Sequence, residues 1–165
     1  MANFDDHISH SKSNLEYLSQ INTLINSRWD WQVTVCFYSA LHLMNAHIVR
    51  KTSKNYLSHN QVDEVLNPFN PLSLGKIDET TYLSYTKLCH LSRRSRYLLN
   101  ENFSKSEDIH TASITHSPHF TKAIYHLDII IDFMNKNYGV EFSKTKIYCI
   151  DLKGREFKYF TVTTS

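Results

Sequence analysis

The chain has 165 residues, 41% of them hydrophobic and 21% charged, with a formal net charge of +2. That is enough chain for one domain with a sizeable core and sets wholesale disorder aside; a charge this mild implies a nucleic-acid partner only where a local patch carries it. Three glycines and three prolines rule out Gly-rich phosphate loops and a turn-dense all-β fold, so helices should dominate.

Leu15, Leu18, Ile21 or Asn22, and Ile25 recur at three- and four-residue steps and predict a first helix over about residues 6–26, with Tyr17 and Leu24 widening its apolar stripe. The second, over about 27–50, is apolar round nearly its whole circumference and should be the central, most buried helix. "LSHNQVDEVLNPF" reads as a short third helix with Ser58 as N-cap, stopped by "NPFNP". The fourth should start near Asp78 or Thr80 and run through "CHLSRRSRYLLN". After a polar loop from Glu101 to His116, Ser117 as N-cap and Pro118 at the first helical position open a fifth helix that Gly139 stops. In the tail, "KIYCIDLKGREFKYFTV" alternates apolar and polar residues around Lys153-Gly154, which is a hairpin pattern. One domain is expected, a helical bundle over 1–140 extended by the hairpin over 141–165.

Three widely spaced cysteines, Cys36, Cys89 and Cys149, contain no CxxC pair and point to a reducing compartment. The opening "MANFDDHISHSK" lacks the apolar segment of a secretory signal, and "DIIIDFM" is far too short to span a bilayer. A cytoplasmic protein with no membrane partner is expected, with the Asn102 sequon silent. The histidine spacings put only pairs on any helical face, so neither a metal site nor a cofactor is expected. No GxSxG elbow exists, and Cys36 and Cys89 sit in apolar stretches that suit inert thiols. Trp29 and Trp31 read as packing residues.

The chemistry-bearing stretch is "SRRSRY". On one helix His90, Arg93, Arg94 and Tyr97 form a stripe, with Arg96 beside it. Guanidinium forks match phosphate bidentately, and a neighbouring tyrosine or histidine can stack on a base. Such arginines are either a solvated or carboxylate-paired face or an anion site; the nearest acids on this helix, Glu79 and Glu101, lie more than a turn away. The central helix adds a polar line of Asp30, Thr34, Tyr38 and His42 at four-residue steps. These are either satisfied core groups or one wall of a groove where Tyr38, His42, Arg94 and Tyr97 meet.

"WQVTVCFYSALHLMNAHI", "LSHNQVDEVLNPF" and "YTKLCHLSRRSRYLL", in that order, resemble the HEPN superfamily, over about residues 14–137. The resemblance implies an all-α, up-and-down bundle of four to five helices, here with the short C-terminal β-hairpin appended, and a homodimer. Many such proteins are metal-independent ribonucleases or toxins of prokaryotic defence and toxin–antitoxin systems; others are binding modules. Active members carry an arginine followed four to six residues later by histidine. This chain has no such pair: the nearest order is Arg50 and His59, and in the late helix His90 precedes its arginines. The expectation is a protein that binds RNA or a nucleotide and extends to RNA cleavage. His90, Arg94 and His42 are the candidate catalytic residues; Arg93, Arg94, Arg96, Tyr97, His59 and Tyr38 are the candidate phosphate and base contacts. The alternative is a catalytically inactive module that binds an antitoxin or other protein partner.

Overall fold

A computed structural model describes residues 2–56, 58–97 and 115–164. Their elements, in chain order, are α1 (Phe4–Leu24), α2 (Trp29–Thr52), α3 (His59–Leu66), α4 (Glu79–Tyr97), α5 (Ser117–Tyr138), β1 (Thr145–Tyr148), a 3₁₀ turn (Ile150–Leu152) and β2 (Phe160–Thr163). The protein is therefore the mostly helical bundle the sequence predicts. Most of the loop expected over Glu101 to His116, with the Asn102 sequon, lies outside the described residues.

Local chemistry explains where the helices begin and end. Asn3 and Asp6 exchange backbone N–H bonds with each other's side chains at 2.9 and 2.8 Å, a capping box that starts α1. Ser58 and Gln61 do the same for α3. The Asp78 carboxylate accepts the backbone N–H and hydroxyl of Thr81 and so caps α4. At α5 the cap is His116 rather than Ser117, with His119 Nδ1 accepting the His116 N–H at 3.1 Å; the Ser117 hydroxyl turns to the Asp151 carboxylate instead. Gly139 ends α5 at φ +65°, a left-handed conformation that suits glycine.

The core forms around α2, which packs against α1, α3, α4 and α5. Phe37, Leu43 and Met44 are fully buried, facing Tyr85 and Leu88 of α4 and Ile124, Leu127 and Ile130 of α5 in one cluster. On α1 the buried stripe is Ile8, Ser11, Leu15, Leu18 and Asn22. The expected widening of that stripe fails: Tyr17 is 53% and Leu24 80% exposed. Ile147, Leu152 and Phe160 of the tail join the same core.

The tail corrects the hairpin expectation. Two strands form where the alternation places them, but they run parallel, with Thr145 opposite Phe160 and Tyr148 opposite Thr163. Lys153-Gly154 does turn the chain, with Gly154 at φ +76°, yet it follows a 3₁₀ turn that buries Leu152. The second strand is placed by α5: the Asp128 carboxylate accepts the backbone N–H groups of Lys158 and Tyr159, at 3.3 and 2.8 Å. Tertiary anchoring thus overrides a two-residue turn, and the intervening segment becomes a crossover. The outer edge of β1 is closed by α1, where Ser19 donates to Lys146 O and Asn22 bonds both the N–H and the C=O of Tyr148.

Between α3 and α4 the chain is pinned at several points. Ile77 N–H donates to Leu66 O at 3.3 Å, and His47 Nε2 donates to Gly75 O at 2.9 Å while its Nδ1 accepts the Tyr138 hydroxyl at 2.7 Å. Gly75 lies so close to α3 that a Cβ there would sit 2.9 Å from Val65 Cγ1. These contacts set the spacing of the two helices.

Asn22 is fully buried and ties α1 to Gln32 and to the Tyr148 backbone. Asn22→Ala should therefore lower the unfolding free energy by about 1–3 kcal/mol, since it leaves buried polar partners unsatisfied. Urea unfolding measures this; an unchanged midpoint would contradict the role given to Asn22.

Candidate functional site

A cleft of about 610 Å³ opens between α3 and α4. The α3 wall carries His59, Asn60 and Asp63. The α4 wall carries Tyr85, His90, Arg93, Arg96 and Tyr97; from His90 onward, steps of three and four residues bring them to one face. Five of the candidate residues, His59, His90, Arg93, Arg96 and Tyr97, thus meet in one place.

Arg96 is the most constrained of them. Its Nη1 donates to the Tyr38 hydroxyl at 3.3 Å and its Nε to Ser92 O at 3.4 Å. Its guanidinium carbon lies 5.0 Å from the ring centre of Tyr97, 5.7 Å from that of Tyr38 and 5.9 Å from that of Phe37, within cation–π reach of all three. Tyr38 thereby joins the cleft wall indirectly, from α2. Arg93 is exposed. Among the described residues, no carboxylate forms an ion pair with Arg93 or Arg96.

His59 sits edge-on to Phe37, with ring centres 5.3 Å apart. Burial, then the positive charges of Arg96 and Arg93, lower its pKa below the usual imidazole value. At neutral pH this imidazole is uncharged and able to accept a proton, and an anion bound between the arginines would raise its basicity. His90 lines the same cleft one turn before Arg93.

Two candidates lie elsewhere. Arg94 does not line the cleft; its charge acts on His119 of α5. His42 packs against α1, its Nδ1 3.1 Å from His7 Nδ1 and its ring stacked on His10 at 4.1 Å. Of the polar line on α2, only Tyr38 reaches the arginine helix: Asp30 pairs with Arg28 at 3.0 Å, and the Thr34 hydroxyl donates to Asp30 O at 2.9 Å. The groove in which Tyr38, His42, Arg94 and Tyr97 would meet is therefore replaced by one that joins α3 to α4.

Sequence reasoning missed Asp63 and Tyr85. Asp63 follows His59 by four residues on a helix, so the spacing rule that found the arginine stripe would have found it. Tyr85 falls on the apolar side of α4, and only packing shows that it floors the cleft. Burial pushes the Cys36 thiol far up, in keeping with an inert core cysteine. Among the described residues, no group of three or more histidine, cysteine or acidic side chains is placed to hold a metal ion, and no helix is long and apolar enough to cross a membrane.

The histidine cluster between α1 and α2 makes its own claim on stability. Burial, then the neighbouring His10 and His7, depress the His42 pKa to about 4. A folded-state pKa below that of the unfolded chain, about 6.5, favours the neutral ring. Its contribution is complete above about pH 6.5 and is lost as the pH falls toward 4. Urea midpoints measured between these limits should fall more steeply for the wild type than for His42→Gln; parallel curves would overturn this assignment.

No family model, no curated protein and no solved structure matches this chain.

Proposed function

We propose that this protein is a HEPN-like RNA- or nucleotide-binding protein that holds phosphate in the α3–α4 cleft and cleaves RNA there without a metal ion. The observation that carries this reading is the convergence of Arg93 and Arg96, unneutralised by the protein's own described carboxylates, with His59 and His90 in one cleft. Uncompensated guanidinium groups this close repel one another, and a phosphate would relieve that cost while accepting their hydrogen bonds. His59, uncharged at neutral pH, suits removal of a 2′-hydroxyl proton. His90 is the second acid–base group, and the arginines steady the charge that develops on the phosphate. Prokaryotic conflict, including a toxin–antitoxin pair, is the setting the resemblance suggests, with a homodimer as the working assembly.

Affinity for a short labelled RNA should fall linearly with salt on logarithmic axes, and Arg93→Ala and Arg96→Ala should each reduce the slope by about one. Arg94→Ala should leave it near the wild-type value. Indifference to RNA at low salt would favour a protein-binding module instead.

Cleavage of total RNA should persist in EDTA. His59→Ala and His90→Ala should each lower its rate by roughly 10²–10⁴-fold. Binding without cleavage in the wild type would reduce the protein to a non-catalytic RNA reader.

A further inference from the structure

Polar and charged side chains stand at both ends of the cleft. Asp63 neighbours Tyr82 and Tyr85: its Oδ2 accepts the Tyr82 hydroxyl at 3.3 Å, and its charge acts on Tyr85. His59, one turn earlier on α3, lies instead within the field of Arg93 and Arg96. An acceptor therefore occupies one end and the cations the other, with about 12 Å of helix axis between Tyr85 and Arg93. Arginine side chains on a helix lean back toward its N-terminus, which shortens that span. A ligand that fits this gradient has an anion at one end and hydrogen-bond donors at the other.

The floor supplies a second, independent observation. Tyr85 is 1% exposed and lines the cleft, yet among the described residues its hydroxyl has no hydrogen-bond partner. A buried hydroxyl left this way is costly, and a ligand atom reaching the floor would satisfy it. Asp63 has spare capacity too: among the described residues it forms no ion pair, and Oδ1 accepts no hydrogen bond.

We propose that the α3–α4 cleft takes a guanine nucleotide, free or as a unit of an RNA strand, with the base at Asp63 and Tyr85 and the phosphate at Arg93 and Arg96. This rests on the reading of the cleft as a nucleotide site. Guanine is singled out by donor count. A carboxylate is satisfied bidentately by two adjacent N–H groups, and guanine alone of the four RNA bases presents two, N1–H and N2–H, side by side. Adenine and cytosine pair one amino group with a ring-nitrogen acceptor, and uracil flanks its single N–H with carbonyls that a carboxylate repels. Guanine O6, next to N1–H, is then in place to accept the Tyr85 hydroxyl. The cleft volume falls within the range of roughly 300–1,000 Å³ usual for small-ligand sites.

Calorimetric titration of the full chain at low salt with GMP, AMP, CMP and UMP tests this. GMP should bind roughly tenfold or more tightly than the others, the worth of hydrogen bonds to a charged acceptor. Asp63→Asn should bring GMP down to the level of AMP without weakening AMP. Tyr85→Phe removes only an orphaned hydroxyl, so its melting temperature should hold or rise while GMP alone binds more weakly; this variant keeps the test decisive if Asp63→Asn fails to fold. Oligonucleotides differing by one G→A change form the second arm. Preference for G seen only there assigns the site to RNA, and preference already present with GMP assigns it to free nucleotides; either supports guanine. Equal binding of all four monophosphates, with no preference among the oligonucleotides, overturns the guanine assignment and leaves the phosphate reading standing. Failure of every mononucleotide and oligonucleotide to bind overturns both.

Discussion

The ring of Phe37 is where the bundle and the cleft become one problem. It is fully buried on α2, with ring centres 5.3 Å from His59, 5.6 Å from Tyr38 and 6.0 Å from Tyr85, and the guanidinium carbon of Arg96 5.9 Å away. One side chain thus braces α3 and α4 from below. Because α2 is buried round most of its girth, its partners must pack on every side, and the line where α3 meets α4 is held over this ring. An aromatic floor also gives Arg96 something to rest on without a carboxylate, through its π face and the Tyr38 hydroxyl.

While Arg93 and Arg96 form no ion pair among the described residues, several carboxylates are committed elsewhere. Asp128 is committed to the backbone of Lys158 and Tyr159. Asp132 takes Lys136 at 2.5 Å and Lys158 at 2.6 Å, and Asp30 takes Arg28. These carboxylates secure the tail and the start of α2. A nearly balanced chain, at +2 overall, can therefore carry a locally cationic groove, because charge balance over the whole sequence says little about any one face.

Much of this was legible in the sequence, and what was not has a geometric cause. Glycine scarcity and three- and four-residue periodicity disclosed the helices, and Ser58 and Gly139 disclosed two of their ends. The arginine cluster was legible as chemistry but not as a face. Successive helical residues turn by about 100°, so Arg93 and Arg96 lie about 60° apart while Arg94 and Arg96 lie about 160° apart; no single cleft could take all three. The same turning broke up the polar line on α2. Steps of four drift by about 40° each, so the line winds round the helix, Tyr38 meeting α4 and His42 meeting α1. The parallel strands were illegible for another reason. Alternation reports which face of a strand is buried, not its direction, and the direction came from Asp128 on a distant helix.

In the proposed reading, the imidazole and the guanidinium groups come from two helices, where the HEPN-like order has them on one. A motif on one helix is a way to bring an imidazole and a guanidinium to the same spot, and helical spacing is not the only way to do so. Here His59 comes from α3 and Arg93 and Arg96 from α4, close enough that the arginines' charges act on the imidazole. The backbone carrying them is pinned: a capping box fixes the start of α3, the Leu66–Ile77 bond fixes its far end against the loop that leads into α4, and the His47–Gly75 bond ties that loop to α2. His59 on Phe37 and Arg96 on Tyr38 are thus held in place and give up little further freedom when an anion binds. For the proposed proton transfer beside a phosphate, two helices locked together hold an imidazole and a guanidinium as one helix would.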